Sequence, residues 1–438
     1  MKRQLISILS GLLLSSCVVA ENLQQTLEKA EKYDATYKVA VAAWEAQQEN
    51  RTLARSFLLP TINLTAGTSW TDMEVTGSSS PAIAKGDVQY NENNYQLGLN
   101  LALYHHDFII AYQQAGIVLK QSDLDLHAAE QDLLFRVADA YFAVLGARDS
   151  LKFTQSEKKA IARQLDQTQQ RFKVGLIAIT DVHEAQAAFD LSVAGEISAE
   201  NGLASSYEAL RVITGEENSD LSEMKANVVF EVPEPQEIDQ WADMAAKNNL
   251  VLLSTDLASQ VAKKEVKRVR AGHLPTVDLY AGYGSSKSGS PISVTESDAW
   301  SVGVRATIPL FAGGRVMSQT RQAEHRYQQS IEAYEAVRRD VLRQTRDAYR
   351  GITASISSAK ALYQARLSSN SALEATEAGF EVGTRTIVDV LNAQRDLFRA
   401  KSNYAAARYA YVLRVLQLKR AAGILTRDDV ITVSSWLK

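Results

Sequence analysis

The segment Arg171-Phe172-Lys173-Val174-Gly175 returns 208 residues later as Gly379-Phe380-Glu381-Val382-Gly383. Each copy is followed by Asp-Val (Asp181-Val182, Asp389-Val390) and then Ala-Gln (Ala185-Gln186, Ala393-Gln394). The pairs Tyr141/Tyr349, Ala115/Ala323 and Gly215/Gly423 keep the same offset. Upstream, Leu59-Pro60-Thr61 with Leu64, Ala66 and Gly67 recurs as Leu274-Pro275-Thr276 with Leu279, Ala281 and Gly282. There the offset is 215, so a small indel separates the two blocks. One half has been duplicated, and the fold must be pseudo-symmetric, with each element present twice. Neither copy carries a catalytic signature.

The first twenty residues read as an export signal: basic Lys2-Arg3, an apolar run from Leu5 to Leu14, and small residues in Val18-Val19-Ala20 for cleavage after Ala20. The run is too short to span a bilayer. The alternative is a lipoprotein signal, Leu14-Ser15-Ser16-Cys17, with Cys17 lipidated. Cys17 is the only cysteine, so the cleaved chain has no disulfide and depends on packing or assembly. Losing Lys2 and Arg3 leaves 45 basic against 51 acidic residues, a net of −6. That balance argues against a nucleic-acid partner. No later stretch is apolar enough for a membrane helix, so any crossing uses strands.

All seven prolines (60, 81, 233, 235, 275, 291 and 309) stand where a helix should stop. The proline-free stretches from Asp107 to Lys173 and from Val316 to Glu381 predict helices of about 100 Å each. The series Val337, Val341, Thr345, Ala348, Ile352, Ile356, Ala359 and Tyr363 repeats every eleven residues, which keeps a stripe nearly parallel to the helix axis.

Four segments alternate instead with period two. They carry Ile62, Leu64, Ala66, Thr68 and Trp70; Tyr95, Leu97, Leu99, Leu101 and Leu103; Val277, Leu279, Ala281 and Tyr283; and Trp300, Val302, Val304, Ala306 and Ile308 on one face. Each is about ten residues long, the length of a tilted membrane-spanning strand. Polar loops, 77–87 and 285–298, join them. Four strands cannot close a barrel with a lumen, so a membrane barrel must be shared; three chains give about twelve strands. A two-hairpin sheet capping soluble helices would leave the Leu97 to Leu103 ladder needing a cover.

The duplicated motifs, the Leu-Pro-Thr strand starts, Ser355-Ile356-Ser357-Ser358 and the run from Gly383 to Leu391 resemble the TolC family of trimeric outer-membrane channels, from Glu21 to about Leu425. The resemblance implies a membrane β-barrel of twelve strands from three chains, continued by a coiled barrel of long α-helices, twelve in the trimer. It divides the chain into a signal peptide (1–20), a first repeat (21–217, strands about 61–75 and 90–104), an equatorial segment (218–237), a second repeat (238–425, strands about 275–284 and 299–310) and a C-terminal tail (426–438). It implies a homotrimer in the outer membrane of a Gram-negative bacterium, spanning the periplasm as exit duct of tripartite efflux pumps or type I secretion systems. Its partners would be a periplasmic adaptor, an inner-membrane pump of the RND, ABC or MFS type, and outer-membrane lipid.

The same resemblance assigns roles. Arg385 would bond Asp181 and Thr180 to latch the periplasmic gate, a charge-assisted lock. Phe380 stands where the family usually has a latching tyrosine. Asp389 would project into the pore from each chain as a carboxylate ring selecting cations. The family's second acidic ring would be lost at Asn392, while Glu184, its first-repeat counterpart, is acidic. Gly175 and Gly383 would sit at the helix tips, with positive φ, where an adaptor docks. His105, His106, His127, His183, His273 and His325 form no metal-spaced cluster. No catalytic residue, metal or cofactor is expected. The alternatives are a periplasmic adaptor and a structural coiled-coil protein of the envelope.

Overall fold

The computed structural model describes residues 20–77, 85–217, 220–225, 229–290 and 295–438. The signal segment up to residue 19, including Cys17, lies outside these residues. So do Pro81 and Pro291 and parts of the hairpin loops and of 218–237.

The helices are α1 (Leu23–Tyr33), α2 (Ala35–Ser56), α3 (His106–Lys173), α4 (Ile179–Thr214), α5 (Ile238–Asn248), α6 (Leu250–Arg270), α7 (Arg315–Glu381), α8 (Ile387–Ala421) and α9 (Arg427–Ser434). At 68 and 67 residues, α3 and α7 fill the proline-free stretches without a break. Among the described residues no helix is long and apolar enough to cross a membrane. Contacts divide the chain into two units. One holds the segment up to Val39 with Ala129–Asn249 and Val341–Lys438; the other holds Ala40–Ala128 and Leu250–Asp340.

In the first unit, α1 begins with a capping box between Asn22 and Gln25 and buries Leu23, Leu27 and Ala30 at helical spacing. These meet Leu133, Val137, Tyr141 and Leu145 of α3, Val412 and Leu416 of α8, and Val430 and Val433 of α9 in one cluster. Each such side chain removed from water contributes about 2 kcal/mol. The Tyr141 hydroxyl lies 3.0 Å from the carbonyl oxygens of both Glu21 and Ser222 and shares its proton between them. Residues 426–438 are not a loose tail: α9 packs in the core and Leu437 bridges Met224. On α7 the six residues from Val341 to Ala359 of the eleven-residue series are buried, whereas Tyr363 at its end is 44% exposed.

The second unit holds one antiparallel sheet in the order β1 (Thr61–Val75), β2 (Gly86–Tyr104), β3 (Thr276–Ser288) and β4 (Thr295–Thr307). Register sets the apolar residues side by side: Leu64 faces Leu97, Leu97 faces Tyr283, and Tyr283 faces Trp300. On the other face Asn63, Gly98, Gly282 and Ser301 form the matching row. Among the described residues nothing covers the apolar face; Leu64 is 73% and Trp300 79% exposed. β1 has the expected bounds 61–75, whereas β2 begins at Gly86 rather than 90, β3 runs on to Ser288 rather than 284, and β4 spans Thr295–Thr307 rather than 299–310. Backbone pairing continues past the apolar band because ladder bonds do not require apolar side chains. Polar cross-strand pairs support the extension: Gln89 donates to Asp72 at 3.0 Å, and Lys287 meets Glu296 at 3.2 Å.

Candidate functional site at the helix tips

Two tight turns close the helix pairs α3–α4 and α7–α8, and they are built alike. Gly175 N–H donates to Phe172 O at 2.9 Å and Leu176 N–H to Arg171 O at 3.0 Å; the second turn repeats this with Gly383 to Phe380 (3.2 Å) and Thr384 to Gly379 (2.8 Å). This is the Schellman pattern, which needs a left-handed residue at its centre. Gly175 and Gly383 supply it at φ +77° and +80°. Around them Val174, Leu176 and Val382 are exposed.

The helices that leave the turns differ. At the start of α8 the Asp389 carboxylate accepts from the Thr386 N–H at 2.9 Å and the Thr386 hydroxyl at 3.0 Å, and Asp389 N–H donates to Thr386 Oγ1 at 3.2 Å. The backbone bond from Thr386, then its hydroxyl and the charge of Arg385, hold this carboxyl below the usual carboxylate range. At the start of α4 the equivalent N-cap is Ala178, with no side-chain cap. Among the described residues the Asp181 carboxylate therefore has no capping partner in this first turn, and only its N–H bonds there, donating to Ala178 O at 3.2 Å.

Within the chain, no hydrogen bond or ion pair among the described residues joins Arg385 to Asp181 or Thr180. Instead, Arg385 folds back over the last turn of α7. A Cβ at Gly379 would lie 2.8 Å from Arg385 Cγ, so a side chain there would make Arg385 move. Its first-repeat counterpart is Arg171, opposite Ile177. Arg171 places its guanidinium 4.6 Å from the centre of the Phe380 ring. Phe380 also packs on the buried cluster of Ile161, Leu165, Ala185, Ile387 and Leu391. The Arg171–Phe380 contact was not legible in the sequence, although both residues lie in the duplicated motif.

Glu184 and Asn392 line one groove of about 520 Å³, together with Glu157 and Arg395. Arg395 donates to Asn392 Oδ1 at 2.8 Å. Burial raises the Glu157 carboxyl, opposed by Arg395 and Arg399. Asp389 does not line that groove. A second groove, of about 560 Å³, is lined by Arg171, Phe380 and Glu377. On its wall Gln164 Nε2 and Gln394 Oε1 lack partners among the described residues, although the two side chains are 7% and 5% exposed. Among the described residues no group of three or more His, Cys, Asp or Glu could hold a metal.

The family model described as outer membrane efflux protein matches residues 26–216 and 241–424. The outer membrane protein TolC of Vibrio cholerae is 41% identical, over 97% of this chain and 96% of that protein. The alkaline protease secretion protein AprF of Pseudomonas aeruginosa is 30% identical, over 99% of this chain and 91% of its own length. The CmeC outer membrane channel of Campylobacter jejuni, at 16% identity, superposes with a TM-score of 0.80 over 95% of this chain and 89% of that one.

Proposed function

The chain belongs to the outer membrane efflux protein family, and we propose that three copies join their sheets into one barrel whose helical continuation is an exit duct. The uncovered apolar face of a four-stranded sheet carries this reading. Such a face is stable against lipid, and four strands cannot enclose a lumen alone. An adaptor or a purely structural coiled coil has no use for it. The duct would pass drugs or proteins from an inner-membrane pump of the RND, ABC or MFS type, joined by a periplasmic adaptor; the name of the Pseudomonas relative, a protease secretion protein, supports the protein-export branch. The role is conduction rather than catalysis.

In this reading 21–217 and 238–425 are the two repeats, joined by an equatorial segment at 218–237. The tips at Gly175 and Gly383, ringed by exposed Val174, Leu176 and Val382, receive the adaptor. Asp389, with Glu184 and Asn392 nearby, sets ion selectivity. Arg385 latches the gate to Asp181 and Thr180 of a neighbouring copy, which its freedom from these partners within the chain permits.

Heat-modifiable trimers in outer-membrane extracts, and single-channel conductance in planar bilayers, test the proposal. Arg385→Ser and Asp181→Ala should each raise conductance. Conducting monomers would overturn the shared barrel, and unchanged conductance in both variants would move the latch elsewhere.

A further inference from the structure

The second unit carries a basic cleft just outside the apolar band of its sheet. Its walls are the last turns of α6, which lead into β3, and the first turns of α7, which follow β4. Arg315, Gln319 and Arg326 lie at spacings of four and seven, on one face of α7; Arg268 and Glu265 face them from α6. The cleft encloses about 430 Å³. Val269, Gly272 and the buried Ala323 also line it, and a Cβ at Gly272 would lie 3.3 Å from Val316 Cγ2.

The charges are unequally satisfied. Arg268 grips Glu265 through two bonds, at 2.7 and 2.6 Å, and Gln114 adds a third donor to that carboxylate at 3.1 Å. Glu265 is thereby held below the usual carboxylate range, first by Arg268, against its own burial. The guanidinium groups of Arg315 and Arg326 make no ion pair or hydrogen bond among the described residues, although the charge of Arg326 also helps to lower the Glu265 carboxyl. Among the described residues Asp107 is the only other acid lining the cleft. Lys263, Lys264, Lys267 and Arg270 crowd the same end of α6.

The duplication supplies an internal control. Arg268, Arg315 and Arg326 correspond in the first repeat to Leu53, Asp107 and Val118, and Lys264 and Lys267 to Glu49 and Thr52. The pseudo-symmetric scaffold therefore does not require these cations; only one copy has them. Between β4 and Arg315, Leu310 and Phe311 stand 93% and 88% exposed, large apolar side chains at the edge of the lipid-facing band. A ligand suited to both features joins a phosphate to acyl chains.

We infer that this cleft holds the phosphate of a phospholipid from the membrane leaflet on the helical side. Arg315, at the sheet end of the cleft, bonds the phosphate oxygens, Arg326, about three turns further along α7, adds longer-range attraction, and the acyl chains cover Leu310 and Phe311. The inference rests on residence in the outer membrane and not on what the duct carries.

The test uses the full-length trimer in detergent, delipidated and then titrated with phosphatidylglycerol, with retained lipid counted by native mass spectrometry. Replacing both Arg315→Gln and Arg326→Gln should weaken retention on the order of tenfold, as expected for two cations near an anionic surface. Lysine at both positions should restore part of it, while Arg55→Gln, the first-repeat counterpart of Arg270, should change nothing. Both arginines are exposed and unpaired, so the trimer should survive, which its heat-modifiable migration checks. In a second arm, millimolar inorganic phosphate competes with the lipid. Inorganic phosphate that binds this cleft in place of any retained lipid would overturn the lipid assignment. Equal retention by the wild type and the double variant would overturn the site.

Discussion

Thr386 and Asp389 exchange hydrogen bonds across the first turn of α8, whereas their first-repeat counterparts, Ala178 and Asp181, do not. One substitution in the duplicated half thus separates two helix starts whose turns are otherwise built alike.

Thr386→Ala should fray the start of α8 and raise amide exchange at residues 387–390 about fivefold. The Asp389 titration should move upward, because the bonds that lower it are lost. The sign follows from the depressed carboxyl: its contribution is present above the unfolded pKa and disappears as pH falls through the folded one. Conversely, Ala178→Ser should create a capping box with Asp181 and slow exchange at the start of α4. Exchange unaltered in both variants would show that the tips are ordered by something other than their caps.

The Arg171–Phe380 contact makes the aromatic face, not a hydroxyl, the holding element between α3 and α7. Arg171→Gln should loosen the tip and raise channel conductance, at a cost of about 1 kcal/mol for a half-buried cation–π pair. Phe380→Tyr keeps the face and should change conductance less than Arg171→Gln. The reverse ranking would assign the hold to a hydroxyl-accepting partner.

Asp34 joins α1 to α2 and accepts two bonds from Arg136, both at 2.9 Å, and one from Tyr37 N–H at 2.6 Å. Burial pushes its carboxyl up, but the Arg136 and backbone bonds outweigh it, and the group titrates below its usual value. The pair therefore stabilises the fold above the unfolded carboxylate pKa, and the effect is lost as pH falls through the lower folded value. Asp34→Asn should destabilise by about 2 kcal/mol, since it removes the charge accepting two Arg136 bonds while Arg136 keeps Asp132 at 2.8 Å. The loss should shrink in denaturation experiments at acid pH; a loss independent of pH would show that the carboxylate charge is not its source.

Gly423 follows α8 at φ +73°, and a Cβ there would lie 2.2 Å from Asn248 O. Gly423→Ala meets both backbone strain and a backbone clash. It should lower trimer yield and the melting temperature far more than Gly175→Ala, where φ is also positive but nothing lies within 4 Å. Equal effects would mean that conformation alone, and not the clash, sets the cost.

The duplication, the four alternating strands, the two unbroken long helices and the glycines at the tips follow from the sequence itself. Each depends on local rules: the two side-chain periodicities, the helix-breaking effect of proline, and the left-handed φ that glycine tolerates. Other features were decided only by the folded chain. The strands run beyond their apolar band because backbone ladders continue. Asp389 binds its own helix start because Thr386 stands three residues before it with the matching hydroxyl. Arg385 lies over Gly379, where a Cβ would meet its Cγ, and Arg136 reaches Asp34 across 102 positions. The basic cleft, likewise, exists because α6 and α7 meet beside the sheet. Such contacts join residues by proximity, and proximity between distant segments is not written in any local pattern.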